Sequence, residues 1–273
     1  VHHYTGKTVA KEFQLIHITL DHERLRALSN RRRNQFAGCM HAHNELAVLN
    51  RLLMFVLNDT GEGDLHDSAQ SVQMWCVLQI LAAKLFETWV MIGERFLRSN
   101  PPEFVSSLEP VHQDSFRWLT NYFGVEKAFK DSALKIIRDK TAFHYDRLNL
   151  GEAGDNLNAT ENSLYLAEHA ANSLYYSGSA IVFRAIFALI SAGVEGSQIG
   201  SHGDRVSRGV KIALDDAQNA NTNMHALLYG LIRLLMDGVV AAPDLAPPQV
   251  RINVFNAPAP KEIGIPSFID VGP

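Results

Sequence analysis

Prolines divide this chain into two unequal parts. Only Pro101, Pro102 and Pro110 fall within the first 240 residues, whereas the other seven of its ten prolines crowd residues 241–273. Proline lacks an amide donor and its ring clashes with the preceding helical turn, so each one ends or kinks a helix. The first part can therefore build long helices with one enforced break near residue 100. The second cannot continue a helix and must run extended or in turns.

Apolar periodicity in the first part agrees. Phe36, Met40, Ala47, Leu49, Leu52, Leu53, Val56 and Leu57 recur at three and four, the helix period, until DTGEGD at residues 59–64 stops the pattern. A second helix is expected from about Asp67 to Leu97. Val72, Trp75, Cys76, Leu78, Ile80, Leu81, Leu85, Phe86, Trp89, Ile92 and Phe96 give it an apolar surface wide enough to be central, and Ser99-Asn100-Pro101-Pro102 ends it. Pro110 to Phe123 reads as a shorter helix closed by Gly124, and Val125 to about Ala142 as the next. Gly151 to Thr160 is a polar loop. Glu161 to Ala192 is a long helical region in which Gly178 marks a kink or a close approach, and Asp204 to about Val240 holds one or two further helices. At the start, Val9 to Leu20 fits either a helix or a short strand, and His22 to Leu28 is helical. In the tail, Val250 to Phe255 and Ile263 to Ile269 read as extended. The expected fold is all-α, a bundle of long helices over residues 1–240, with an extended proline-rich C-terminal tail at 241–273 that wraps the surface or contacts a partner.

Composition limits the function classes. Hydrophobic residues make up 47% and charged residues 20%, ordinary for a soluble globular chain. A net charge of −4 and a pI near 6.3 exclude a strong global positive field, so any nucleic-acid contact has to be local. Arg31-Arg32-Arg33 is the densest positive run, readable as a solvated helix end or as a phosphate contact. Cys39 and Cys76 each lie in an apolar helical pattern and read as buried thiols of a reducing compartment. VHHYTGKTVAKEF lacks the basic and apolar regions of a secretory leader, and the most apolar window, Ala180 to Val194, is interrupted by Arg184 and too short to span a bilayer. These features predict a cytoplasmic chain with no membrane partner. No Gly-rich phosphate loop or nucleophile elbow is present. His41, His43 and Glu45, and Glu109 with His112, fall short of a metal-ligand set, so neither metal nor cofactor is expected.

The stretch with chemical content is ALKIIRDKTAFHYD, Ala133 to Asp146. A core-facing helix with Ala133, Leu134, Ile136 and Ile137 runs into Arg138-Asp139-Lys140, then Thr141-Ala142-Phe143, then His144-Tyr145-Asp146. Acid-base groups thus stand beside packed structure, where they are best held. Histidine can give or take a proton near neutrality, and arginine presents a charged planar fork that matches phosphate. The spacing alone carries no weight, because 12 histidines scattered among 16 arginines produce such a pair by chance. On an unbroken helix the two side chains would point roughly 120° apart and sit about 9 Å apart along the axis. They can cooperate only if the helix ends or bends near Thr141, or if a second subunit completes the site. Upstream, Lys84, Glu87 and Glu94 interrupt the apolar face of the second helix. Lys84 and Glu87, three apart, either pair at the core edge or line the cleft facing Arg138 and His144.

On Leu134 to Asp146 the chain resembles the HEPN superfamily, helical proteins many of which are ribonuclease toxins or abortive-infection proteins. Their hallmark is an arginine followed by a polar residue and, four to six positions after the arginine, a histidine. Arg138-Asp139 followed by His144 fits that hallmark, and the FHYD ending is similar to that of bacterial members. The resemblance implies a HEPN-like core at about 35–192 and a metal-independent endoribonuclease that pairs its Arg-His segments across a homodimer. It implies RNA as substrate, a toxin-antitoxin or phage-defence setting, and an antitoxin or effector protein as a further partner. In that reading His144 is the general acid or base, Arg138 the phosphate clamp and Asp139 the group that orients them. Tyr145, Lys140, Lys84 and Glu87 contact the substrate. The alternative is a catalytically inactive helical module for nucleotide, RNA or protein binding, in which Arg138 and Asp139 are a helix-terminal pair and His144 a cap.

Overall fold

Helices dominate the computed structural model, which describes residues 13–58, 63–97, 101–125, 128–142, 148, 150–168, 172–195, 200–236, 239, 250–254, 263 and 266. In chain order the elements are β1 (Phe13–His17), α1 (His22–Ala27), α2 (Asn30–Val56), α3 (Asp64–Ile92), α4 (Pro101–Ser106) and α5 (Pro110–Phe123). They continue as β2 (Gly124–Val125), β3 (Ala128–Phe129), α6 (Ala133–Ile137), α7 (Leu150–Asp155), α8 (Tyr176–Glu195), α9 (His202–Met236) and β4 (Val250–Val254). A π-helical turn extends α3 over Gly93–Leu97, and another extends α6 over Arg138–Ala142. The chain is all-α, a bundle of long helices.

The core is built on α3. Leu78, Leu81, Ala82, Leu85, Trp89 and Ile92 form one stripe at helical spacing and are essentially fully buried. Each such large side chain contributes about 1.5–3 kcal/mol by leaving water. Helix α2 runs antiparallel to α3: Glu45 meets Lys84 near the middle, and Gln70 donates to the Val56 carbonyl near the end. Trp75 sets its edge against Phe183 and Phe187 of α8, and Phe86 packs against Phe123 and Phe129. Helix α9 is a single 35-residue rod that closes the bundle. It lies antiparallel to α5, with Tyr122 against Asp216 at one end and His112 against Gly230 at the other.

Several expectations are corrected. The segment beginning at Val125 is not helical at first. Gly124 takes a left-handed φ of 78° that ends α5, and β2 and β3 form a short hairpin before Ser132 caps α6. The Trp89 indole, buried in the core, donates to the Gly124 carbonyl at 2.8 Å and holds that corner to α3. Val125, Phe129 and Ala133 stand four apart and imitate a helix in sequence. The polar loop expected at Gly151–Thr160 begins as α7, with Ala153 buried. Helix α8 starts at Tyr176 rather than Glu161, and Tyr165 and Leu174 pair as an antiparallel bridge before it. Gly178, in the first turn of α8, makes no close approach; Gly209 of α9 does, against the Phe187 backbone. Cys39 is buried as expected, but Cys76 is exposed, one residue off the stripe that begins at Trp75.

At the start, the ambiguous Val9–Leu20 stretch contains strand β1, and it pairs antiparallel with β4 of the tail, Leu15 opposite Ile252. The tail is also tied at two later points, where Asn58 Nδ2 donates to the Ile263 carbonyl at 2.8 Å and Gln73 Nε2 to that of Pro266 at 2.9 Å. The rest of the Ile263–Ile269 reading lies outside the described residues. Arg31 and Arg32 are exposed in the first turn of α2, where Ser29 accepts from the Arg32 amide. Two stretches, Asp64–Leu97 and Tyr176–Gly193, are long and apolar enough by length and composition to cross a membrane. The second is longer than its apolar window suggested, and Arg184 within it is held by both carboxylate oxygens of Glu161.

Candidate functional site

Ser132 starts the site by capping α6, its hydroxyl accepting from the Lys135 amide. Ala133, Leu134 and Ile137 are fully buried, which fixes the short helix and places Arg138 at its end. There the hydrogen bonding widens into the π-helical turn Arg138–Ala142. Thr141 is fully buried and its hydroxyl donates to the Ile137 carbonyl at 2.7 Å, back-bonding of a kind that bends helices. The departure from α-helical geometry thus begins at Arg138 and includes Thr141. Single π turns of this kind recur at functional positions.

Arg138 lies over the face of Phe86, its guanidinium carbon 5.0 Å from the ring centroid. Nη1 donates to Asp139 Oδ1 at 2.7 Å and Nη2 to Glu87 Oε1 at 2.5 Å. Nε is buried and has no partner among the described residues. Burial opposes the charge on Arg138, but the hydrogen bonds and charges of Asp139 and Glu87 outweigh it and hold the guanidinium more firmly protonated. For Asp139, burial pushes the carboxyl up, while hydrogen bonds from Arg138 and Lys135 win and keep it below the usual carboxylate range. A carboxylate held ionised in this way is poor at accepting a proton near neutrality. It serves to position the arginine.

Three further side chains take part in these pairings. Lys135 donates to Asp139 Oδ2 at 3.0 Å and to Asp131 at 3.1 Å; Phe86 carries the guanidinium; Glu45 takes Lys84 at 2.7 Å. The Lys135 pairs are i,i+4 neighbours and were visible as spacing. The structure thus separates Lys84 from Glu87: Lys84 turns to α2 and Glu87 to Arg138. Lys140 follows on the π-helical turn, half-buried. His144 and Tyr145 lie outside the described residues.

The metal-like pairs disperse. His41 pairs with Glu45 at 3.5 Å, while His43 faces α9 and sets its ring edge-on to His225 at 4.6 Å. Burial lowers the His43 value, and burial with the charges of His43 and Arg51 holds His225 down at about 4. Glu109 lies 3.9 Å from the buried His112 and pairs with Arg233 at 3.0 Å. Among the described residues no group of three or more His, Cys, Asp or Glu side chains is placed to hold a metal ion.

Comparison with known proteins finds no matching family model, no similar curated protein and no similar solved structure.

Proposed function

We propose that the chain is a HEPN-like, metal-independent endoribonuclease that works as a homodimer in the cytoplasm, in a toxin-antitoxin or phage-defence setting. The observation that carries this reading is the placement of Arg138: a partly exposed guanidinium at the start of a π-helical turn, stacked on Phe86 and positioned by carboxylates from two elements. In the reaction the ribose 2′-hydroxyl attacks the adjacent phosphorus and the bond from phosphorus to the 5′-oxygen breaks. One general base takes the 2′-hydroxyl proton and one general acid gives a proton to the leaving oxygen. His144 supplies one of these roles and the partner subunit's copy of the segment the other. Arg138 neutralises the charge that builds on the phosphoryl oxygens. Asp139 keeps Arg138 oriented, and Tyr145 and Lys140 contact the RNA.

Purified wild type, His144→Ala and Arg138→Ala incubated with total RNA test this. Cleavage by the wild type should fall at least about 100-fold in His144→Ala. Equal cleavage by all three, or a strict monomer by light scattering, removes the dimeric nuclease. One observation favours a second reading, a catalytically silent RNA- or protein-binding module: both terminal nitrogens of Arg138 already meet carboxylates. Under that reading the wild type binds RNA and leaves it intact.

A further inference from the structure

We propose that Glu87 is a gate on Arg138, the carboxylate that holds the guanidinium in the unliganded protein and that an incoming phosphodiester displaces. This rests on the reading of Arg138 as a phosphate clamp. As it stands, the hydrogen-bonded cluster does not attract a polyanion. Among the described residues its cations are Arg138 and Lys135 and its carboxylates are Glu87, Asp139 and Asp131, so there the carboxylates are in excess. A phosphate approaching Arg138 meets two carboxylates at hydrogen-bond distance, and like charges at that range repel strongly. One of the two has to yield.

The geometry selects Glu87. Asp139 neighbours Arg138 in the chain and receives a second hydrogen bond from Lys135, so its departure would break two charged contacts. Glu87 comes from α3, and its side chain is 49% exposed against 30% for Asp139. Once released it returns to water at little cost. Its neighbour Phe86 is buried and stays beneath the guanidinium, so Arg138 keeps its position while Nη2 exchanges one monoanion for another. The exchange conserves charge for a phosphodiester, which carries one negative charge. Glu87 thus lowers affinity for an isolated phosphate and reserves the site for a chain whose further phosphates are held elsewhere.

The test measures binding of a fluorescently labelled single-stranded DNA oligonucleotide, which lacks the 2′-hydroxyl, at constant salt. Glu87→Gln keeps the size and hydrogen-bonding capacity of the side chain but removes its charge, and should bind about tenfold more tightly than wild type. Glu87→Ala should give a gain in the same direction. Glu23→Gln makes the same change in net charge at an exposed position on α1, outside the Arg138 cluster, and should gain less than about twofold. Combining Glu87→Gln with Arg138→Gln should abolish the gain. Thermal melts establish that each variant is folded. No gain in Glu87→Gln, an equal gain in Glu23→Gln, a gain that survives loss of Arg138, or no binding by any variant overturns the gate. A parallel assay with RNA separates the two proposals. Intact RNA together with the Glu87→Gln gain removes the nuclease and leaves the gate; cleavage without that gain removes the gate alone.

Discussion

Tyr122 shows how one hydroxyl couples three helices behind the site. It donates to Asp216 Oδ2 of α9 at 2.5 Å and accepts from the Leu134 amide of α6 at 3.4 Å. Burial raises the Asp216 carboxyl above its usual value despite that hydrogen bond, and burial together with Asp216 raises the Tyr122 hydroxyl. Tyr122→Phe leaves the Asp216 carboxylate and the Leu134 amide each short of a partner. It should cost about 2–3 kcal/mol in urea unfolding at pH 7. Because the folded Asp216 value lies above the unfolded one, its stabilising contribution is complete below the unfolded value and is lost as pH rises through the folded one. Removing the tyrosine donor raises the folded value further, so the gap between variant and wild type should widen from pH 4 to pH 7. A gap of constant size would assign the loss to the amide alone. The same scale shows what the sequence reveals of the site. Arg138 and Asp139 stand out as a charged break at the end of an apolar helix. The partnership of Arg138 with Glu87 spans 51 residues and leaves no local pattern.

At the scale of elements, period and punctuation decided what could be read. Helices α2, α3, α5 and α9 follow long apolar repeats with caps or prolines at their ends, and they were legible. The hairpin β2–β3 is not legible, since Val125, Phe129 and Ala133 keep helical spacing and a glycine after an apolar helix signals only its stop. The start of α8 escapes the pattern for a different reason. Asn158 and Glu161 exchange backbone-to-side-chain hydrogen bonds, and Glu161 then grips Arg184, so a helix-compatible stretch folds back along α8. The crossing of α8 and α9 depends on Gly209. A Cβ added there would overlap the Phe187 carbonyl, a backbone group that no rotamer change can move aside. Gly209→Ala gains helix propensity yet should lose about 2–3 kcal/mol in chemical unfolding. Gly178→Ala, with nothing within 4 Å of its added Cβ, is the control and should be neutral or slightly stabilising.

For the whole molecule, the described parts of the proline-rich stretch return to elements far earlier in the chain. Strand β4 pairs with β1 near the start of the chain, and the carbonyls of Ile263 and Pro266 accept from Asn58 at the end of α2 and Gln73 of α3. The sequence indicated an extended tail because proline forbids the alternative. It could not indicate where the tail lies, because strand pairing between residues some 240 apart is a tertiary choice. A two-stranded sheet is marginal by itself, so β1 and β4 depend on one another, whereas the stripe of α3 is buried without either. Removing residues 241–273 should therefore abolish hydrogen-exchange protection of the β1 amides while far-ultraviolet circular dichroism keeps its helical signal. The melting midpoint should fall by a few degrees, on the order of 5 °C, as expected for the loss of a short strand pair and two side-chain hydrogen bonds. Loss of the helical signal on the same truncation would instead make the tail part of the folding unit. Unchanged β1 protection would mean that β1 is held by contacts other than β4.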